Sequence, residues 1–338
     1  MDQNGLGQPD MTISVGKYRA LQRASTPEGI FAILAIDHQD ALKRALKPDA
    51  PNTVAAADMT AFKLDVVRAL IGDASGVLLD PVYGAFQAIV SNVLGNNGLL
   101  VELEKADYQM QPLPLDVEID PDWSVSKIKS MHADGVKLFF YYNPHVHDHA
   151  QRQEKVIQQV AADCTRYDIP FYAEPIVYIQ PDQPDQTKDK LVLQSAQQVA
   201  QLGADVLKLE FPADANVKPD ESAWFDACQA ITQSINVPWV LLSAGVTFEM
   251  FARQLEVASR AGASGFIVGR ALWGDAAKIC DYEQRQRWLT SEGHKRLTLL
   301  SSIAQAYGTP WQERYPDLDM MISTRSFREY PSMEQSDD

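Results

Sequence analysis

The stretch "DVLKLEF" (205–211) places a lysine, Lys208, among Val206, Leu207, Leu209 and Phe211 in what reads as a buried strand. Lysine is among the residues least often fully buried, because taking an ammonium out of water is costly unless something compensates. Two readings fit the position: a salt-bridged structural lysine, or a reactive amine whose pKa is lowered by its surroundings. Which one holds depends on what the rest of the chain builds around this strand.

Seven further apolar runs recur along the chain: "FAILAID" (31–37), "GVLLD" (76–80), "GLLVELE" (98–104), "GVKLFFYY" (135–142), "FYAEPIVY" (171–178), "WVLLSAG" (239–245) and "GFIVGR" (265–270). Between them lie amphipathic stretches such as "QEKVIQQVAADCTRY" (153–167), "KLVLQSAQQVAQLG" (190–203) and "TFEMFARQLEVASRAG" (247–262). Short apolar runs alternating with helical patterns are the signature of repeated βα units around a parallel sheet. Eight of them predict an α/β protein built as a single closed (β/α)8 TIM barrel. An open doubly wound sheet is the competing architecture, but no GxGxxG follows the first run. The barrel is expected over residues 17–275, after a flexible N-terminal segment (1–16). A C-terminal helical extension (276–330), clearest over 281–308, and a flexible tail (331–338) follow it.

The chain has 338 residues, 46% hydrophobic and 22% charged, as expected for a globular protein with a sizeable core. Its 30 basic and 45 acidic side chains leave a net charge of −15, which opposes binding to nucleic acid or to an anionic membrane surface. Cys164, Cys228 and Cys280 form no CxxC pair, so reduced thiols and a cytoplasmic location are expected. No signal-peptide pattern opens the chain and no apolar run is long enough to span a membrane.

In a barrel of this kind, catalytic groups sit at the C-terminal ends of the strands. Polar residues late in the proposed strands are Asp37, Asp80, Glu102 or Glu104, Tyr141, Glu174, Lys208, Glu210, Ser243 and Arg270, with Lys137 nearer the middle of its run. Alternation puts Lys208 and Glu210 on one face and Leu207 and Leu209 on the other. If Lys208 points inward, Lys137 and Glu174 can reach it from the two preceding strands. An inward lysine beside a second cation loses its proton more easily, and the free amine can form a Schiff base with a carbonyl. Glu174 is the carboxylate best placed for general acid/base work, unless it serves only to balance the charge of Lys208. Small residues and glycines in "LLSAGVT" (241–247) and "GFIVGRALW" (265–273) stand just before helices, where backbone N–H groups can approach a phosphate and Arg270 can add a guanidinium. The alternative is that Gly245 and Gly269 only make tight turns.

The chain resembles the tagatose 1,6-diphosphate aldolase family of class I aldolases, to which the sulfofructose-phosphate aldolases are related. The resemblance covers about residues 17–275 and rests on the order and spacing of "AILAIDHQDALKRAL", "SGVLLDPVYG", "LEKADY", "GVKLFFYY", "FYAEPIVY", "DVLKLEFP", "LSAGVTFEMF" and "AGASGFIVGRALW". It implies a (β/α)8 lyase with a Schiff-base lysine at Lys208, a catalytic glutamate at Glu174, assisting Asp37 and Lys137, and a phosphate held by Ser243, Gly245, Gly269 and Arg270. It further implies reversible cleavage of a ketose 1,6-bisphosphate, such as tagatose 1,6-bisphosphate, into dihydroxyacetone phosphate and glyceraldehyde 3-phosphate, with no metal or other cofactor. The alternative within this chemistry is a sulfofructose-phosphate aldolase releasing sulfolactaldehyde. One departure stands out: the family commonly reads Asp-Gln-Arg after the first strand, whereas this chain has Asp37-His38-Gln39. Gln39 and Lys63 are then the candidate contacts to the far end of the sugar, with a solvated helix-face lysine as the alternative for Lys63.

"NPHVHDHA" (143–150), with His145, His147 and His149, raises the competing reading of a zinc site, since imidazoles at alternate positions of an extended segment can share a metal. The run reads instead as a loop entering a helix, with Asn143 or Asp148 as caps. A non-catalytic sensor of a small-molecule sugar phosphate is the alternative from a different class. The C-terminal helices are assigned packing, or assembly into a homo-oligomer.

Overall fold

The computed structural model describes residues 13–105, 115–180, 186–214 and 220–315. Eight strands are all parallel and close on themselves in chain order: β1 (Phe31–Ala35), β2 (Gly76–Leu79), β3 (Gly98–Glu102), β4 (Gly135–Tyr142), β5 (Phe171–Val177), β6 (Val206–Leu209), β7 (Trp239–Leu242) and β8 (Gly265–Val268), with β8 pairing back onto β1. The expected TIM barrel is therefore the fold. Its strands are those of the eight apolar runs, most of them ending one to three residues sooner, because the last residues of each run turn out to the loops of the mouth.

Helices α1 (Val15–Ala24), α2 (Asp40–Leu46), α3 (Ala56–Leu70), α4 (Phe86–Val90), α5 (Val125–Ser130), α6 (His147–Arg166), α7 (Lys188–Gln201), α8 (Glu221–Ser234), α9 (Phe248–Arg260) and α10 (Arg270–Ala277) precede, connect and follow the strands. Two more, α11 (Tyr282–Trp288) and α12 (His294–Tyr307), follow, with α12 packed on α9. No described helix is long and apolar enough to cross a membrane.

The two-residue alternation of each strand divides the core into two layers. Leu207 and Leu209 of β6 face outward, into the large cluster between strands and helices. Val206 faces inward with Phe31, Ile33, Leu78, Leu100, Tyr172, Val240 and Ile267 to fill the barrel. The floor of that inner core is sealed from outside the strands by Ile13, Leu21, Trp311 and Tyr315. Trp311 is fully buried, stacks edge-on with Tyr18 and Tyr315, and donates its Nε1–H to Ser25 Oγ at 3.0 Å. A fully buried aromatic of this size stabilises the fold by about 2–3 kcal/mol through area alone.

Residues 1–12 of the expected N-terminal segment, residues 316–330 of the expected C-terminal extension and the whole of the 331–338 tail lie outside the described residues. The rest of that segment is built in: Ile13 is buried and Ser14 caps α1, accepting from the backbone N–H of Lys17. Lys17 in turn donates to both carboxylate oxygens of Asp205, at 3.0 and 2.8 Å, at the N-terminal edge of β6.

Candidate active site

Along β6 the inward positions run Val206, Lys208, Glu210, changing from apolar to charged as the strand approaches the mouth. The same change occurs on β4 and β5, where Lys137 and Glu174 follow the apolar floor. The pairing register sets Glu102 opposite Lys137, and Phe139 opposite Glu174. Lys208, Glu174 and Lys137 thus arrive at about one depth from consecutive strands, as alternation predicts.

The Lys208 ammonium donates to Glu174 Oε2 at 2.9 Å, and Lys137 lies 3.2 Å from that same oxygen. Lys137 also donates to Asp37 Oδ2 at 3.0 Å and, in a very short contact, to Glu104. One ammonium is therefore shared among carboxylates from just beyond β1, from just beyond β3, and from β5. All five groups are buried, yet Lys208, Glu174, Lys137 and Asp37 open onto a cavity of about 620 Å³ at the barrel mouth. The four residues expected to carry the chemistry are thus brought together on one cavity.

Their charges are unevenly shared. Burial alone raises the Asp37 carboxyl, but Lys137, His38 and Lys208 outweigh it and hold the group well below its usual range. Glu102 goes the other way. Burial, then the carboxylates of Glu104, Asp37 and Asp80, push it well above its usual range, with Lys137 opposing. Its Oε1 accepts from Gln39 Nε2 at 2.9 Å, so Gln39 both lines the cavity and ties down Glu102.

Ser243, Gly269 and Arg270 line the cavity on the β7–β8 side. The turn after β7 runs through two successive left-handed residues, Ala244 (φ 46°) and Gly245 (φ 79°), and Val246 N–H closes it by donating to Ser243 O at 3.0 Å. Gly245 carries the Arg270 guanidinium directly on it: a Cβ there would lie 3.3 Å from Cζ. Gly269 is needed for a different reason, since its Cβ would lie 2.6 Å from the His38 ring. His38 stands edge-on to Trp273, whose Nε1–H donates to Ala35 O at 2.9 Å, and His38 Nδ1 lies 3.3 Å from Asp37 Oδ1 without hydrogen-bond alignment. Burial lowers the His38 pKa against the pull of Asp37.

Lys63 is the exception among the expected contacts. It neither lines the cavity nor is solvated on a helix face, but is fully buried in an ion pair with Asp80, and it donates to Asp37 O at 3.2 Å. The reason is legible after the fact: Met59, Phe62, Lys63, Val66 and Leu70 of α3 recur at helical spacing, so Lys63 belongs to the stripe facing the strands.

The histidine run does not converge. His147 opens α6, capped by neither Asn143 nor Asp148; Asn143 Oδ1 accepts instead from His145 N–H at 3.0 Å. His145 meets Gln194 while His149 meets Tyr178 and Leu115 O. Among the described residues, the group with metal-ligand proximity is instead Asp37, Glu102 and Glu104. Lys137, which touches two of these three, already supplies a positive charge there. The sequence does not single out His38 as a cavity wall or Arg44 of α2 at the cavity mouth, while Glu104, the alternative there to Glu102, is the tightest partner of Lys137.

Comparison with known proteins agrees with this architecture. The chain is 30% identical over 331 residues to the tagatose 1,6-diphosphate aldolase of Listeria monocytogenes, covering 90% of this chain and 96% of that protein. It is 31% identical over 339 residues to tagatose 1,6-diphosphate aldolase 2 of Enterococcus faecalis, covering 90% and 98%. Among solved structures, an archaeal fructose 1,6-bisphosphate aldolase shares the fold at a TM-score of 0.58 and 18% identity, covering 86% of this chain and 99% of that one. Plasmodium falciparum fructose-bisphosphate aldolase does so at 0.68 and 13%, covering 88% and 98%. The family model for the DeoC/LacD family aldolases matches residues 31–275, from the first strand of the barrel to the helix after the last, and the chain belongs to that family.

Proposed function

We propose that the protein is a class I aldolase that reversibly cleaves a ketose 1,6-bisphosphate, such as tagatose 1,6-bisphosphate, into dihydroxyacetone phosphate and glyceraldehyde 3-phosphate. The observation that carries the reading is the 2.9 Å contact between the buried Lys208 ammonium and Glu174, open to the cavity. The tagatose 1,6-diphosphate aldolases that the chain resembles along nine-tenths of its length support the choice of sugar.

In this mechanism the Lys208 amine, its proton passed to Glu174, attacks the C2 carbonyl, and loss of water from the carbinolamine leaves an iminium. The iminium draws in the electron pair of the C3–C4 bond as Glu174, once more ionised, takes the proton of the C4 hydroxyl. The aldehyde leaves, C3 of the enamine is protonated, and water releases dihydroxyacetone phosphate and the free amine. Lys137 holds Glu174 and Asp37 in place, and Asp37, kept ionised, is available to a substrate hydroxyl. Ser243, Gly269 and Arg270, with Gly245 beneath the guanidinium, take the phosphate next to the ketone. The covalent amine does the work for which other aldolases use a metal.

Borohydride reduction in the presence of dihydroxyacetone phosphate tests the assignment. The expected result is a stable adduct that peptide mass mapping places on Lys208, formed equally with and without EDTA. An active enzyme that never traps, or a Lys208→Ala variant with full activity, would overturn it.

A further inference from the structure

The cavity is lined by four cations, and they are not equivalent. Lys137 is held by Asp37, Glu104 and Glu174, and Lys208 by Glu174. Lys188, the first residue of α7, is committed to Glu210 at 2.7 Å. Among the described residues, no hydrogen bond or ion pair engages the side chain of Arg44 or of Arg270. These two arginines also stand near each other, since α2 and α10 pack together. Arg270 feels the charges of Asp37 and Glu174 as well as that of Arg44, but no carboxylate hydrogen-bonds either guanidinium, so the N–H donors of both stay available to an anion.

Arg270 lies over the Gly245 turn and serves the phosphate beside the ketone in the reading above. Arg44 is farther out, on the exposed face of α2, seven residues beyond Asp37 and on the β1 side of the mouth. The facing wall offers no alternative cation: Phe139, Tyr141, Ile176 and Val177 are uncharged, and Glu210 is already paired. A ketose carrying an anionic group at each end therefore finds one unpaired guanidinium for each.

We infer that Arg44 is the specificity-determining contact for the second anionic group of the substrate, the one remote from the imine carbon. This rests on the aldolase reading and adds to it the residue that selects a doubly anionic sugar over a ketose 1-phosphate. Phosphate and sulfonate share the oxyanion geometry a guanidinium recognises, and Arg44 serves either.

The test compares wild type, Arg44→Gln and Arg44→Lys by kcat/KM on tagatose 1,6-bisphosphate, on 6-deoxy-6-sulfofructose 1-phosphate and on tagatose 1-phosphate, alongside borohydride capture of dihydroxyacetone phosphate. Removing one charge-assisted contact is expected to cost roughly 10- to 150-fold on the doubly anionic substrates. Tagatose 1-phosphate turnover and the capture rate should change by less than about threefold, and Arg44→Lys should recover part of the loss. Which of the two doubly anionic sugars suffers more tells phosphate from sulfonate at that end. An equal loss on all substrates and in capture would overturn the inference and place Arg44 on the first phosphate. No loss on any would leave it a solvated arginine. A wild type that captures no dihydroxyacetone phosphate and cleaves none of the sugars would instead remove the aldolase site, and this contact with it.

Discussion

Replacing Glu102 and Glu104 separately by glutamine should have opposite consequences, although the two are neighbours on one segment and both are buried beside Lys137. Four carboxylates, those of Asp37, Glu102, Glu104 and Glu174, surround the two ammonium groups of Lys137 and Lys208, so the buried cluster holds two more acids than it has bases. Glu102 is the one pushed upward, which makes it the acid most ready to keep its proton. Glu102→Gln keeps the acceptor for Gln39 and removes a charge the site resists; its effect on stability is expected within about 1 kcal/mol, and in the favourable direction. Glu104→Gln takes a charge from an ammonium that is 1% exposed. Breaking a buried pair costs about 3–5 kcal/mol, and because Asp37 and Glu174 remain, about 2–3 kcal/mol is expected here, or roughly 3–4 °C of melting temperature for a chain of this length.

The pH dependence follows from the sign of the Glu102 shift. Its folded pKa lies above its unfolded one, so the native state binds the extra proton, and wild-type stability falls as pH rises from the unfolded value through the folded one. Glutamine cannot titrate. The advantage of Glu102→Gln should therefore be flat below about pH 4 and grow above it. Urea unfolding of the three proteins across a pH series reads this directly. Equal destabilisation by the two substitutions, or a Glu102→Gln difference that does not change with pH, would refute the charge assignment.

Trp311→Ala should cost about 3–5 kcal/mol by opening the barrel floor, while kcat at a temperature where the variant stays folded changes little, because the site lies at the opposite end. Gly245→Ala puts a side chain on a left-handed residue and a Cβ 3.3 Å from Arg270, so KM for phosphorylated substrates should rise more than kcat falls in steady-state assays. Lys63→Met leaves Asp80 buried without its cation. A loss of about 3–5 kcal/mol in chemical denaturation is expected.

The barrel and four of its site residues were legible because both depend on strand parity. Once "DVLKLEF" is a strand, Lys208 must share a face with Glu210, and strand order brings Lys137 and Glu174 to it. What parity cannot supply is reach across a turn or from a helix. Glu104 lies two residues beyond the end of its strand with the same parity as Glu102, so alternation alone does not choose which of the two reaches Lys137. Arg44 sits on a short helix whose facing depends on how the loop after β1 folds. Lys63 departs from the expectation because its place in the apolar stripe of α3 outweighs its charge, which Asp80 compensates.

The floor of the barrel bears on how the chain is made. Trp311 and Tyr315 cover the same inner core as Ile13 and Leu21, and Tyr315 OH donates to Asp205 O at 3.2 Å, at the foot of the strand that carries Lys208. The N-terminal part of a chain leaves the ribosome first, and a domain folds as a unit once its parts are out. All eight strands of this one emerge before Trp311 and Tyr315, so the nascent barrel lacks half of its floor until about 45 residues beyond β8 have been translated. That interval is when its apolar interior is exposed to neighbours and to chaperones. Translation pauses or truncations placed between β8 and Trp311 should therefore produce aggregation more readily than loss of catalysis.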